Sequence, residues 1–274
     1  MGTRARFGEA RLVREDAGLA HRLLFRAMGI ADPAHYLHFR YVERFLDARA
    51  GAAPRRILDA GCGAGDFSFY LARRFPSAAV VGVDVDAEQI AKNRRVAPRL
   101  GLTNVEFREA DLTRGGFGEG YDLALSIDVL EHVVPQDRAF RNPADSLGAG
   151  GWAYLHIPTA RPRPVPFSKR LEAFHDWAEE EHIAEDLSAE QFAEAVSKNG
   201  FRVVEADATF GYWSGELATS LFALPFRDTA LNRLLQAALA PPCRLLAWAD
   251  PLELDGTRYA VGLTVQRASA ASPS

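Results

Sequence analysis

Residues 57–66 read Ile57-Leu58-Asp59-Ala60-Gly61-Cys62-Gly63-Ala64-Gly65-Asp66, and this stretch decides the fold. Ile57 and Leu58 close a short apolar run that follows Pro54-Arg55-Arg56. Glycines then stand at alternate positions, Gly61, Gly63 and Gly65. Phe67, Tyr70, Leu71 and Phe75 recur at helical spacing. The order is strand, glycine turn, helix. Glycines let the chain reverse tightly and let a ligand lie on bare backbone. The helix after the turn offers free N–H groups at its start.

The turn also narrows the ligand. The dinucleotide fingerprint G-x-G-x-x-G needs a third glycine for close packing around a pyrophosphate. Asp66 stands there instead, and its carboxylate opposes a pyrophosphate. Asp59 adds a second carboxylate on the strand side. A cationic ligand suits this turn better, and S-adenosylmethionine carries both a sulfonium and an ammonium group. Taken alone, the turn is equally a plain connection between strand and helix. The strands and acids downstream of it carry the weight.

Ala78 to Asp84 reads as a second buried strand ending in an acid. Asp84 lies about 20 residues beyond the glycine turn, the spacing that brings a carboxylate to a ribose hydroxyl pair. It could instead cap the next helix, a role Asp86 can also fill. A helix over 87–100 leads to a third strand, Val105 to Ala110, which ends at Asp111. A fourth strand, Tyr121 to Ile127, runs into Asp128-Val129-Leu130-Glu131-His132. A fifth, Trp152 to Ile157, comes after Gly148-Ala149-Gly150-Gly151.

The segments ILDAGCGAGD, VVGVDVD, EADL, YDLALSIDVLEHV and LGAGGWAYLHIP, in that order, resemble a class I S-adenosylmethionine-dependent methyltransferase of the small-molecule type. The resemblance covers roughly residues 55–158 and implies a Rossmann-like α/β sheet of seven strands, mostly parallel, with the last antiparallel. It implies S-adenosyl-L-methionine as cofactor and S-adenosyl-L-homocysteine as product. By the same resemblance Asp59, Gly61, Gly63 and Gly65 line the methionine end. Asp84 binds the ribose hydroxyls and Val85 touches the adenine. Asp111 meets the adenine amino group, Leu112 packs on the ring, and Asp128 faces the reactive methyl.

Composition agrees with one globular domain over 1–267 and a disordered tail over 268–274. A net charge of −4 argues against nucleic acid as partner. With only two cysteines, and Cys62 inside the glycine turn, a reducing, cytoplasmic setting is expected. The first residues are too charged for a signal peptide, and no apolar run reaches the ~18 residues of a membrane span.

Further regions flank or complete the cofactor half over 54–158. Residues 1–53 read as a helical lid, with one apolar stripe on Leu19, Leu23, Leu24, Ala27 and Met28 and another on Tyr36, Phe39, Val42 and Phe45. Tyr36 and Arg40 are its candidate contacts to cofactor or substrate; the stripes serve equally to cover a sheet face. Residues 159–206 form the substrate-side half. There a proline-rich connection precedes a helix that Ser188 and Gln191 cap, and a sixth strand runs from Phe201 to Ala206. Residues 207–256 form an apolar insert before the last strand within 257–267. That is too long for a bare hairpin loop. Pro241-Pro242 is expected to split it into two helices. It could wall a pocket for an apolar substrate, form a homodimer interface, or touch a membrane from outside, in that order.

Methyl transfer to an alcohol or phenol needs a base, and histidine titrates near working pH. His182, in the connection after strand five, is the first candidate; His156 and Glu131 are the others, with His132 and His175 beside them. Glu131-His132 and Leu155-His156 also resemble segments of cyclopropane-fatty-acid synthase relatives, where such a glutamate and histidine help bind bicarbonate. The rest of that set is missing. His175, Asp176, Glu181 and His182 match no standard ligand spacing, so no metal is expected.

The expected function is methyl transfer to a small apolar or lipid-like acceptor, at oxygen first, with carbon or nitrogen of a lipid, glycolipid or sugar as the alternative. Two rivals come from other classes: a nicotinamide oxidoreductase, which Asp66 opposes, and a non-catalytic cofactor-binding scaffold. Asp84→Ala is expected to weaken S-adenosylmethionine binding by about 1 to 3 kcal/mol, the cost of a lost charged hydrogen-bond pair. Calorimetry checks this, and unchanged affinity overturns the ribose role.

Overall fold

The computed structural model describes residues 6–14, 22–23, 25–26, 29, 32–49, 53–159, 187–223, 230–250 and 258–268. Its frame is one seven-stranded sheet: β1 (Arg56–Ala60), β2 (Ala79–Asp84), β3 (Val105–Glu109), β4 (Tyr121–Ile127), β5 (Leu147–Pro158), β6 (Phe201–Gly211) and β7 (Arg258–Arg267). The order across the sheet is β3-β2-β1-β4-β5-β7-β6. The first five strands are parallel, and β7 runs antiparallel between β5 and β6. The order reverses between β1 and β4. Open parallel sheets bind ligands at such a switch point, beyond the carboxyl ends of the strands.

Helices cover both faces. The first face carries α1 (Pro33–Asp47), α2 (Asp66–Arg74) and α3 (Ala87–Arg99). Val42, Phe45, Phe69, Leu71, Ile90 and Phe107 are buried in the core they share with the sheet. The second face carries α4 (Gln136–Ser146) and α5 (Ala189–Lys198), with Phe140, Phe192 and Val196 buried against Leu58, Leu155 and Leu263. Strands covered on both faces must be apolar on both, which explains the unbroken runs at Ile57-Leu58 and Leu123-Leu125. The Ser188–Gln191 capping box forms as its sequence requires.

Two elements depart from their sequence pattern. β6 continues to Gly211, five residues past Ala206. Arg202 and Glu205 are exposed and Thr209 is buried, while the backbone keeps pairing with β7, Asp207 opposite Gly262 and Thr209 opposite Ala260. The second departure corrects the expected break at Pro241-Pro242. The insert holds a wide helical turn (Tyr212–Leu217), α6 (Ala218–Ala223) and α7 (Ala230–Trp248), and α7 runs unbroken through both prolines. Pro241 and Pro242 lie exposed, while Ala240, Cys243 and Ala247 are buried. Packing of that inner face outweighs the lost backbone bonds. No helix among the described residues is long and apolar enough to cross a membrane. Of the first lid stripe only Leu23 lies within the described residues, and it is exposed.

The insert is tied to α1. The buried Asp250 carboxylate accepts from the Tyr41 hydroxyl and, at 2.7 Å, from the backbone N–H of Gly211. Arg40 donates to the Trp248 carbonyl at 2.8 Å. Arg244 lies over the Tyr36 ring, 4.9 Å from its centroid. Tyr36 and Arg40 thus both contact the insert. Asp250→Ala removes the partner of one buried and one half-buried donor and is expected to cost about 2 to 3 kcal/mol of stability. Thermal denaturation measures it; a shift in melting temperature under about 2 °C overturns the anchoring role.

Candidate active site

The glycine turn is held from several sides. Gly61 and Cys62 donate backbone N–H to the Val83 carbonyl, both at 2.8 Å. Gly63 donates to Asp84 at 2.7 Å, and its carbonyl accepts from Asn93 at 2.7 Å. A Cβ at Gly61 would meet the Val129 methyls at 2.4 Å, so glycine is required there and the turn presses against the segment after β4. At Gly63 the space around a would-be Cβ is empty to 4 Å, which leaves bare backbone for a ligand. Asp86 caps α3 through Glu88 and Gln89, so Asp84 has no cap to serve. Val85 stands 72% exposed beside it, an open apolar platform. Leu112 is buried, and Asp111 accepts twice from Thr113, which holds its carboxyl below the usual range.

Asp59 is 3% exposed and accepts from Ser68 at 2.6 Å. Burial, which outweighs the Ser68 bond and is reinforced by Asp84 and Asp66, pushes its pKa up to about 6. Burial and the same neighbours Asp59 and Asp84 push the Cys62 thiol up, so it stays protonated and unreactive. Asp66 corrects the electrostatic reading of the turn. Arg11 lies 3.1 Å and Arg14 3.8 Å from its carboxylate, and Arg14 also donates to the Ala64 carbonyl. The N-terminal residues 6–14 therefore neutralise the charge expected to oppose an anion. The carboxylates of Asp59, Asp84 and Asp128 keep the crevice acidic, which suits the cationic donor.

Across the switch point stands a polar cluster that the sequence did not announce. His38 of α1 places Nε2 2.9 Å from Oδ2 of Asp128, out of line for a hydrogen bond. His156 of β5 places Nδ1 2.6 Å from Oδ1 of the same carboxylate. His156 Nε2 lies 3.0 Å from the Thr209 hydroxyl of β6. An ionised carboxylate only accepts, so His156 donates from Nδ1 and accepts from Thr209 at Nε2. Burial pushes Asp128 up, but the two imidazoles outweigh it and hold the carboxyl well below its usual range. His156, 1% exposed, is lowered by burial despite Asp128, so it stays neutral.

Two non-glycine residues among those described have left-handed backbone, Asp128 (φ 51°) and Phe210 (φ 57°), and both belong to this cluster. Such strain costs of order 1 to 3 kcal/mol each and concentrates at functional sites. The Phe210 ring lies 4.8 Å from His38 and 5.6 Å from His156. Three ligand-type atoms of His38, Asp128 and His156 lie within 4.8 Å of one another. Within that group the 2.6 Å contact between His156 and Asp128 is a hydrogen-bond distance.

Of the expected catalytic residues, His156 enters this cluster. Glu131 is buried beside His132, 3.7 Å away. His182 and His175 lie outside the described residues. His38, Thr209 and Phe210 were missed. One signal existed for His38: Ala34, Leu37, Tyr41, Val42 and Phe45 make the inner face of α1, and His38 is the one strongly polar side chain among them.

Comparison with known proteins agrees with this geometry. Residues 33–206 match the family model described as "Methyltransferase domain", so the chain belongs to that family. It is a class I S-adenosylmethionine-dependent methyltransferase by family and by fold. Trans-aconitate 2-methyltransferase of Streptomyces coelicolor is 34% identical over 46% of this chain and 45% of its own length. The same-named protein of Rhodopseudomonas palustris is 27% identical over 88% of this chain and 91% of its own. The chain spans about half the length of the first curated relatives it matches. Geranyl diphosphate C-methyltransferase from Streptomyces coelicolor superposes with a TM-score of 0.59 at 19% identity, over 96% of this chain and 86% of that one. The [4+2]-cyclase SpnF does so at 0.58 and 20%, over 83% and 82%. These likenesses establish the fold; a cyclase among them shows that the fold alone does not name a reaction.

Asp59 yields a test. Its folded value near 6 exceeds the ordinary 3.8, so ionising it costs stability as pH rises between those values. Above pH 6 the cost is fully present, about 3 kcal/mol at 1.36 per pH unit. Asp59→Asn is expected to raise the melting temperature at pH 7.5, by less as pH falls towards 4, while weakening S-adenosylmethionine binding. A variant less stable than wild type at pH 7.5 overturns the burial account.

Proposed function

We propose that the chain methylates a hydroxyl oxygen of a small, largely apolar molecule, with His38 as general base. The observation that carries this is the chain Thr209–His156–Asp128–His38 at the switch point, beside the glycine turn. When bound, S-adenosylmethionine supplies an electrophilic methyl group whose leaving thioether needs no acid. The protein must exclude water, align the acceptor and remove one proton.

Each residue has a part in that. Thr209 fixes the tautomer of His156, and His156 holds one oxygen of Asp128. Asp128 keeps its charge and turns its other oxygen to His38. That favours the Nε2–H tautomer of His38 and leaves Nδ1 as the basic nitrogen. As the acceptor hydroxyl loses its proton, Asp128 stabilises the imidazolium that forms, the logic of any carboxylate-oriented histidine. The loose His38 contact is expected to tighten when substrate arrives. Phe210 packs against both imidazoles. Asp84 and Val85 are assigned to the ribose and adenine, Asp111 and Leu112 to the far side of the ring, and the Gly61–Gly65 turn to the methionine end.

A carboxylate acceptor already carries its charge and needs no base; a hydroxyl does, and the His38–Asp128 pair favours it. Relatives named for trans-aconitate and geranyl diphosphate support a small-molecule acceptor and keep carbon methylation as the second reading. His156 argues against a bicarbonate site, since Asp128 and Thr209 occupy both its ring nitrogens. The acidic balance supports a small molecule over RNA.

His38→Ala is expected to lower kcat by roughly 10² to 10⁴ while S-adenosylhomocysteine binding changes less than about threefold. Label transfer from methyl-labelled donor into an extract of small metabolites, followed by mass analysis, identifies the acceptor for that assay. Unchanged kcat in His38→Ala refutes the base.

A further inference from the structure

The cluster at the switch point is also a set of metal donors. His38, Asp128 and His156 each offer one ligand-type atom, and the three lie within 4.8 Å of one another. The carboxylate stands 2.9 Å from Nε2 of His38 and 2.6 Å from Nδ1 of His156. Donors about a tetrahedral zinc, each ~2.0 to 2.2 Å from it, are roughly 3.3 Å apart, so the observed spacings bracket what one ion needs. Nε2 of His38 is buried and out of line for a hydrogen bond. Asp128, 36% exposed, gives an ion its way in. The sequence expectation of no metal concerned His175, Asp176, Glu181 and His182, a different set that lies outside the described residues.

The surroundings fit as well. A histidine ligand hands its second N–H to a nearby acceptor, which fixes its tautomer. The Thr209 hydroxyl stands 3.0 Å from Nε2 of His156 and can serve in that way. Without metal the hydroxyl donates and the imidazole proton sits on Nδ1. With metal on Nδ1 the proton moves to Nε2 and the same hydroxyl accepts, because a threonine hydroxyl does both. Each imidazole keeps its one proton throughout. Two imidazoles and one carboxylate suit zinc and its late first-row neighbours, whereas magnesium and calcium prefer oxygen ligands.

We propose that His38, Asp128 and His156 bind a zinc-class divalent ion and that the bound ion switches methyl transfer off. The second half rests on the assignment of His38 as general base. Metal on Nε2 leaves the His38 proton on Nδ1, the nitrogen that has to take the proton of the acceptor hydroxyl. The loaded imidazole has no lone pair left for it. Ion and base therefore exclude one another at a single side chain.

Calorimetric titration of the full, chelator-stripped chain with Zn2+, without methyl donor, tests the site. One equivalent is expected to bind with a Kd below about 10 μM, and Mg2+ to give no saturable heat. His38→Ala and Asp128→Asn are each expected to weaken zinc binding about tenfold or more, while His35→Ala and His132→Ala leave it unchanged. Thr209→Val is expected to cost about tenfold and Thr209→Ser little, since only a hydroxyl takes the Nε2 proton. Melting temperatures confirm that the variants fold. Methyl transfer to the acceptor found by label transfer reads the switch: Zn2+ should bring turnover down to the level of His38→Ala, and EDTA should restore it. Absence of saturable zinc binding up to about 1 mM, or equal affinity in folded His38→Ala, overturns the site whatever group proves to be the base. Zinc bound through His38 with turnover unchanged or raised overturns the switch, and kcat of the metal-free His38→Ala variant decides the base by itself.

Discussion

One carboxylate organises the chemistry of this protein. Asp128 ends β4 at the switch point of the sheet and divides its two oxygens between two imidazoles. Those imidazoles come from different layers, His156 from the sheet and His38 from a helix laid over the strand ends. Asp128 is partly exposed, and of its two imidazole contacts the one from His156 is a charge-assisted hydrogen bond. The same residue has left-handed backbone (φ 51°).

The scaffold around it explains why the arrangement persists. β1 and β4 are neighbours, so the glycine turn and Asp128 leave the sheet side by side. Val129 fills the space that a side chain at Gly61 would need. On the far side, Asp250 fastens the insert to Tyr41 of α1 and to Gly211, next to the strained Phe210. The insert is therefore a brace for the helix that carries His38. Its outer face, with Leu235, Leu245 and Trp248 exposed, is the part on which the dimer and membrane expectations rest.

Electrostatics at the glycine turn were harder to judge than its shape. Asp66 looked like an open negative charge because its partners, Arg11 and Arg14, lie more than fifty residues away in sequence. Asp59 is a different case: among the described residues no arginine answers it, and burial itself raises its pKa. Two carboxylates in one short motif thus follow opposite rules, one paired across the fold and one left to a serine.

The amino-acid sequence by itself determined the strand–turn–helix core, most of the strand positions to within a few residues and the acids Asp59, Asp84, Asp111 and Asp128 at the strand ends. These come from periodicity, glycine spacing and caps, which act within about ten residues of chain; the antiparallel direction of the last strand came from the family resemblance. Tertiary structure alone decided the rest. β6 outran its apolar pattern because pairing with β7 carries Asp207, Ala208 and Gly211, which strand propensity does not favour. α7 passed through Pro241-Pro242 because its buried face packs under the insert. His38 met Asp128 because two segments ninety residues apart close on one another, and side chains that meet only through folding leave no local signature.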